Sequence, residues 1–141
     1  MTKRSDVLRG LVSGVHADHA DYQTLRGLLG EQFQAALRHD TAALTQLGER
    51  ISALVAVLDG RRRDRMRGVA LLGIRPPATM AQVIALFAPA MRAPLQQLWQ
   101  GLEALVVECK RLNSRNCRLL MEQHALMQRV LAGEADTYVP A

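Results

Sequence analysis

The sequence predicts an all-α protein: an elongated antiparallel helical bundle or coiled coil of three long helices plus one short helix. Two observations lead there. Leu (22) and Ala (20) dominate a chain of 141 residues, whereas Val and Ile together number 14 and aromatic residues make up 4%. That mixture favours helix and disfavours a sheet-rich core. A 3–4 spacing of apolar residues also recurs in three separate stretches, the pattern of helices packed along a seam. The length suits one domain, 1–141, whose core needs neither disulfide nor metal to hold it.

The first element is expected over about 5–38. Its stripe reads Leu8, Leu11, Val15, Asp18, Tyr22, Leu25, Leu29, Gln32 and Ala36, widened by Phe33 and Leu37. Ser5 is the expected N-cap. Gly10, Gly14, Gly27 and Gly30 each weaken a helix by up to about 1 kcal/mol relative to Ala, so packing must supply the order.

His39-Asp40-Thr41 marks a break, with Asp40 capping a second helix over about 41–72. Leu44, Leu47, Ile51, Leu54 and Leu58 carry the repeat. Strict phase then places Arg61 and Arg65 inside, while a four-residue stutter near Asp59-Gly60 would bring in Met66, Val69 and Leu72. The sequence favours the stutter and a local irregularity there. Gly73 is the expected C-terminal stop, followed by Pro76-Pro77. The short link between the first two long helices makes them antiparallel neighbours.

Thr79 can cap a short helix over about 80–87. Pro89 and Pro94 interrupt the next stretch, and Pro94 suits the first turn of a last helix over about 94–132. Its stripe is the cleanest in the chain: Leu95, Leu98, Leu102, Leu105, Cys109, Leu112, Asn116, Leu119, Gln123, Leu126 and Val130. Gly133 is expected to end it, leaving a short acidic tail, 133–141, that carries Tyr138.

A second row runs beside that stripe at spacing seven: Trp99, Val106, Asn113, Leu120 and Met127. A two-stranded seam needs only one stripe, so this row packs on the third helix or receives a partner's helix. Trp99 and Val106 are assigned mainly to the core. Asn113, Asn116 and Gln123 interrupt the dry stripe, and a buried Asn sets register while one on an open groove bonds a partner's backbone. The expected docking surface is therefore Asn113, Asn116, Leu119, Leu120, Gln123, Leu126 and Met127. Such a surface stays bare or is covered by self-association, so a homo-oligomer is possible.

Charge and chemistry narrow the function classes. The net charge is +5, with a cluster from Arg61 to Arg67 near the end of the second helix. A solvated face is its plain reading, and phosphate binding the sharper one. No aromatic residue is interleaved, so no nucleic acid is expected as partner. An Arg-rich nucleic-acid binder nevertheless stays open as an alternative, as does a structural coiled-coil adaptor.

Cys109 and Cys117 lie eight residues apart on one helix, about 12 Å along its axis and beyond disulfide reach. His16 and His19 lack the Glu-x-x-His pairs of a bundle metal site. No nucleophile elbow, Walker loop or dinucleotide fingerprint is present, so no catalytic, metal or cofactor residue is assigned and no enzyme is expected. No apolar run reaches the length of a membrane span, and the N-terminus leads into no signal-peptide core, which predicts a cytoplasmic protein without membrane insertion.

The chain resembles the FlgN-type flagellar export chaperones over nearly its whole length. The resemblance rests on Glu31-x-x-x-Ala-Ala-Leu37 closing the first helix and on an Arg-rich segment before Leu71-Leu72-Gly73. It rests further on Trp99, on Leu112-Asn113-x-x-Asn116-x-x-Leu119-Leu120, and on the tail Tyr138. Two positions depart from the family: Cys117 stands where a Gly is usual, and the Gly that usually follows the tail Tyr is absent. The resemblance implies a cytosolic chaperone that holds the C-terminal helical segments of the hook–filament junction proteins FlgK and FlgL. It also implies that the chaperone prevents their premature assembly and delivers them to the export gate protein FlhA. Tyr138 is then the expected gate-docking residue, and no cofactor is implied.

Overall fold

The computed structural model describes residues 3–137, with side chains from Lys3 to Gly133. Among the described residues there are four helices and no strand: α1 (Arg4–Leu37), α2 (Thr41–Leu71), α3 (Met80–Ile84) and α4 (Pro89–Thr137). This is the expected all-α bundle. α1 lies at its centre, packed against both α2 and α4.

Every position of the α1 stripe from Leu8 to Ala36 is buried or half-buried. Lys3 precedes the helix and makes no side-chain cap, so Ser5 falls inside the first turn rather than at the N-cap. The far end closes by a Schellman motif: the His39 N–H donates to the Ala36 carbonyl and the Asp40 N–H to the Ala35 carbonyl. This requires a left-handed residue, and His39 adopts φ 56°. Asp40 then caps α2 by accepting from the Ala43 N–H at 3.1 Å. Gly73, at φ 76°, ends α2 as expected.

α2 runs unbroken through Asp59 and Gly60, so the expected local irregularity is absent there. The strict-phase residues carry the seam: Leu58 is buried and Arg61, Arg65 and Gly68 are half-buried, while of the stutter positions Met66 is 60% exposed and Val69 and Leu72 are half-buried.

Thr79 and Gln82 form a reciprocal capping box on α3, which is shorter than expected. Val83 and Ile84 are buried where α1, α3 and the start of α4 meet, beside Leu11, Val15 and Leu98. α4 begins five residues earlier than expected, with Pro89 at its first position, where the missing N–H costs nothing. Pro94 lies inside it. The Arg92 guanidinium donates to the carbonyls of Phe87 and Ala85, tying this start to the preceding turn. α4 also passes through Gly133 to Thr137. Tyr138 lies outside the described residues.

The main core cluster joins the three long helices: Leu25 and Leu29 from α1, Leu58 from α2, and Cys109 and Leu112 from α4. α1 and α2 are antiparallel. α1 and α4 are parallel with a fixed offset, because Cys109 meets Tyr22, Asn116 meets Leu29 and Gln123 meets Ala36, each 87 residues apart. Those contacts recur every seven residues, so the two helices stay in step through two heptads.

Candidate functional site

The fixed offset sets Leu37, the last residue of α1, level with His124 on α4. Beyond that level α4 continues for another thirteen residues, roughly 20 Å of helix. The consequence appears in the exposure along the α4 stripe. Leu102, Leu105, Cys109, Leu112 and Asn116 are buried, Leu119 and Gln123 half-buried, and Leu126 and Val130 are each 54% exposed. The stripe keeps its apolar character after the bundle beneath it has ended. Met127, from the second row, is 61% exposed on the same arm.

The residues expected to form a docking surface divide into two groups. Asn116 is 1% exposed, and its amide donates to the Leu29 carbonyl at 2.7 Å and to Gln32 Oε1 at 2.9 Å. Its oxygen accepts from the Arg115 guanidinium, which stacks on the Phe33 ring at 3.7 Å. Gln123 donates to the Ala36 carbonyl at 3.0 Å. These two polar interruptions therefore bond α1 instead of facing outward, and Asn116 lies in the core. Asn113 is exposed, Leu120 is half-buried, and with Leu119, Leu126 and Met127 they remain on the accessible side.

Trp99 and Val106 are half-buried. Trp99 lies under the Arg65 guanidinium at 5.6 Å and lines an open groove of about 820 Å³ with Met66, Val69, Ile74 and Met80.

The Arg run is not a solvated face throughout. Asp18, 1% exposed, accepts from Arg61 and from Arg65 at 2.7 Å each, and Arg61 also reaches Asp21 at 2.9 Å. The hydrogen bond from Arg61 to Asp18 raises the Arg61 pKa above its ordinary value. Arg62 and Arg63 pair with Asp59, and Arg67 pairs with Asp64. Every guanidinium of the run thus has a carboxylate partner within the chain. The signal for this was present: Asp18 on the α1 stripe and Arg61 and Arg65 on the α2 stripe are the charged residues at inward positions, and they are of opposite sign.

Cys109 is buried, and burial pushes its thiol pKa up, the opposite of what a reactive thiolate needs. Among the described residues no three His, Cys, Asp or Glu side chains gather as a metal-binding set. No described helix is long and apolar enough to cross a membrane. What the site offers is an apolar helical surface with polar edges, fitted for protein contact.

No curated protein and no solved structure matches the chain. The family model described as FlgN protein matches residues 8–133, from the first turns of α1 to the arm of α4, and on that match the chain belongs to the FlgN family.

Proposed function

We propose that the protein is a cytosolic flagellar export chaperone that holds hook-associated proteins FlgK and FlgL by their C-terminal helical segments. In this role it prevents their premature assembly and hands them to the export gate protein FlhA. Family membership supports the class of function. The observation that carries the reading is the arm of α4, whose seam stays apolar where no described helix of the chain covers it. An amphipathic segment laid along Leu119, Leu120, Leu126 and Met127 would complete that seam, with Asn113 at its polar edge. Stoichiometric binding of this kind requires no catalytic group. A nucleic-acid role loses part of its support, because Arg61 and Arg65 are held inward by Asp18, leaving Arg62, Arg63 and Arg67 as the exposed cations of the run.

The test is calorimetric titration of the purified protein with the C-terminal segment of each junction protein, beside the Leu120→Asp/Met127→Asp variant. The expected result is binding that the double substitution abolishes while helicity is unchanged. Absence of binding by the unsubstituted protein, or an unfolded variant, would overturn the assignment of this surface. Tyr138 is proposed as the contact with the export gate, so Tyr138→Ala is expected to spare cargo affinity and reduce export. Equal loss of both would place Tyr138 in the cargo site.

A further inference from the structure

Charge is not spread evenly along the bundle. The offset between α1 and α4 sets Leu98 level with Leu11, and Gly68 of α2 stands against the Leu11 side chain. Residues 3–12 and 66–99 therefore form one end of the molecule, where α1 and α4 begin and α2 stops. That end holds six Lys or Arg and one Asp, whereas the rest of the chain holds twelve cations and twelve anions. The whole surplus of +5 thus sits at the end opposite the α4 arm. No Asp or Glu occurs anywhere from Arg65 to Leu102.

Most of these cations are uncompensated. Lys3, Arg4 and Arg75 are exposed, and no carboxylate pairs with them among the described residues. Arg92 is also exposed and donates only to the backbone carbonyls of Phe87 and Ala85. Arg9 keeps a loose contact of 3.8 Å with Asp6, and Arg67 pairs with Asp64. Two large apolar side chains face solvent at the same end. Leu71, the last residue of α2, is 71% exposed and borders Val7 and Arg67 across a groove between α1 and α2. Met91, in the first turn of α4, is 49% exposed and lies level with Arg4 by the same offset. A lone exposed Leu or Met is ordinary on a surface. Their combination with an unopposed positive field points to a ligand that is anionic and apolar at once.

We propose that this end of the bundle docks on an anionic lipid surface, with Lys3, Arg4, Arg75 and Arg92 meeting headgroup phosphates and Leu71 and Met91 entering the boundary with the acyl chains. Both components are needed, because a basic patch or a small apolar contact alone holds a protein on a membrane only weakly. Each Lys or Arg close to an anionic surface raises affinity about fivefold. A nucleic acid would use the cations and leave Leu71 and Met91 in water. The end also offers no exposed aromatic ring for base stacking among the described residues. The contact lies at headgroup depth, and no described helix crosses the bilayer. α4 spans 49 residues, roughly 70 Å, so its arm is presented far from the lipid. The docking stands whether or not that arm takes the junction proteins.

Flotation of the full chain with lipid vesicles, in the absence of cargo, tests this directly. The protein is expected to rise with vesicles of equimolar phosphatidylcholine and phosphatidylglycerol, to stay below with phosphatidylcholine alone, and to be released as salt is raised. Lys3→Gln/Arg4→Gln/Arg75→Gln is expected to weaken binding about a hundredfold, and Leu71→Ser/Met91→Ser about tenfold. All five positions are exposed, and circular dichroism verifies that helicity is kept. Equal flotation with neutral vesicles, or indifference to the triple substitution, would overturn the proposal. So would displacement by inorganic phosphate at the phosphate concentration of the lipid, or binding of RNA in place of the vesicles.

Discussion

Asp18 sits between Arg61 and Arg65, accepting from each at 2.7 Å, and is almost completely closed off from water. The three side chains occupy inward positions where an apolar layer would otherwise stand. A buried ionic cluster contributes little net stability over well-packed apolar residues, because desolvation offsets the Coulomb gain. Breaking it leaves charges uncompensated. Asp18→Leu is therefore expected to cost about 3 kcal/mol in urea unfolding. Asp18→Leu with Arg61→Leu and Arg65→Met should recover most of that loss. Asp59, on the surface side of α2 and paired with the exposed Arg62 and Arg63, serves as control, and Asp59→Ala should change stability by less than about 1 kcal/mol.

Asn116 and Met127 should separate stability from binding. Asn116→Ala removes both donors to α1 and is expected to lower stability by about 2 kcal/mol while the folded protein keeps its cargo affinity. Met127→Asp should do the reverse, with the unfolding midpoint unchanged and affinity lost. If Asn116→Ala leaves stability intact and weakens binding, the seam with α1 opens to admit cargo.

His39 holds its position in the turn with a strained backbone, at φ 56°. A side-chain-bearing residue in the left-handed region costs about 1 kcal/mol relative to glycine. Thermal unfolding should show His39→Gly stabilised by up to that amount. Gly68 behaves oppositely, because a Cβ there would stand 3.1 Å from Leu11 Cδ2. Gly68→Val should destabilise the contact of α1 with α2, whereas Gly27→Ala, which meets nothing within 4 Å, should stabilise by up to about 1 kcal/mol.

Alkaline pH should weaken the fold through Cys109 and Tyr22. Burial raises both pKa values above the ordinary 9.0 and 10.0, Asp18 adding to the effect at Tyr22 and Glu108 at Cys109. The folded chain holds these protons more tightly than the unfolded chain. Their contribution is whole at neutral pH and is lost as pH climbs past those ordinary values. Denaturant midpoints measured from pH 7 to 11 should fall above about pH 9. Cys109→Ala should remove the earlier part of that fall and leave the part due to Tyr22.

The long helices were legible because a 3–4 repeat needs no knowledge of what each helix packs against. Asp40 and Gly73 were legible as boundaries because their local chemistry suffices to stop a helix. The inward placing of Arg61 and Arg65 is hard to read from sequence for a physical reason. A guanidinium at an inward position looks like a break in phase until a carboxylate is known to face it, and Asp18 lies 43 and 47 residues away. Asn116 and Gln123 were ambiguous for a related reason, since spacing is the same whether the bonded carbonyl belongs to α1 or to a partner. The early start of α4 is hidden because Pro94 is itself a good first-turn residue, so the sequence offers two starts and the structure takes the earlier one, at Pro89.

The unequal lengths of α1 and α4 give the protein two stabilities instead of one. Below Gln123, opening α4 means breaking the shared core, so amide protons there should exchange with solvent only as slowly as the whole domain unfolds. Beyond His124 no other described helix packs against α4, and a helical stretch that short is marginal in water. Its amides should exchange quickly while the body stays protected. A segment that frays without cost to the body can reshape itself around whatever covers it, and whatever covers it slows its exchange. Deuterium uptake along α4 would therefore mark how far any covering molecule extends.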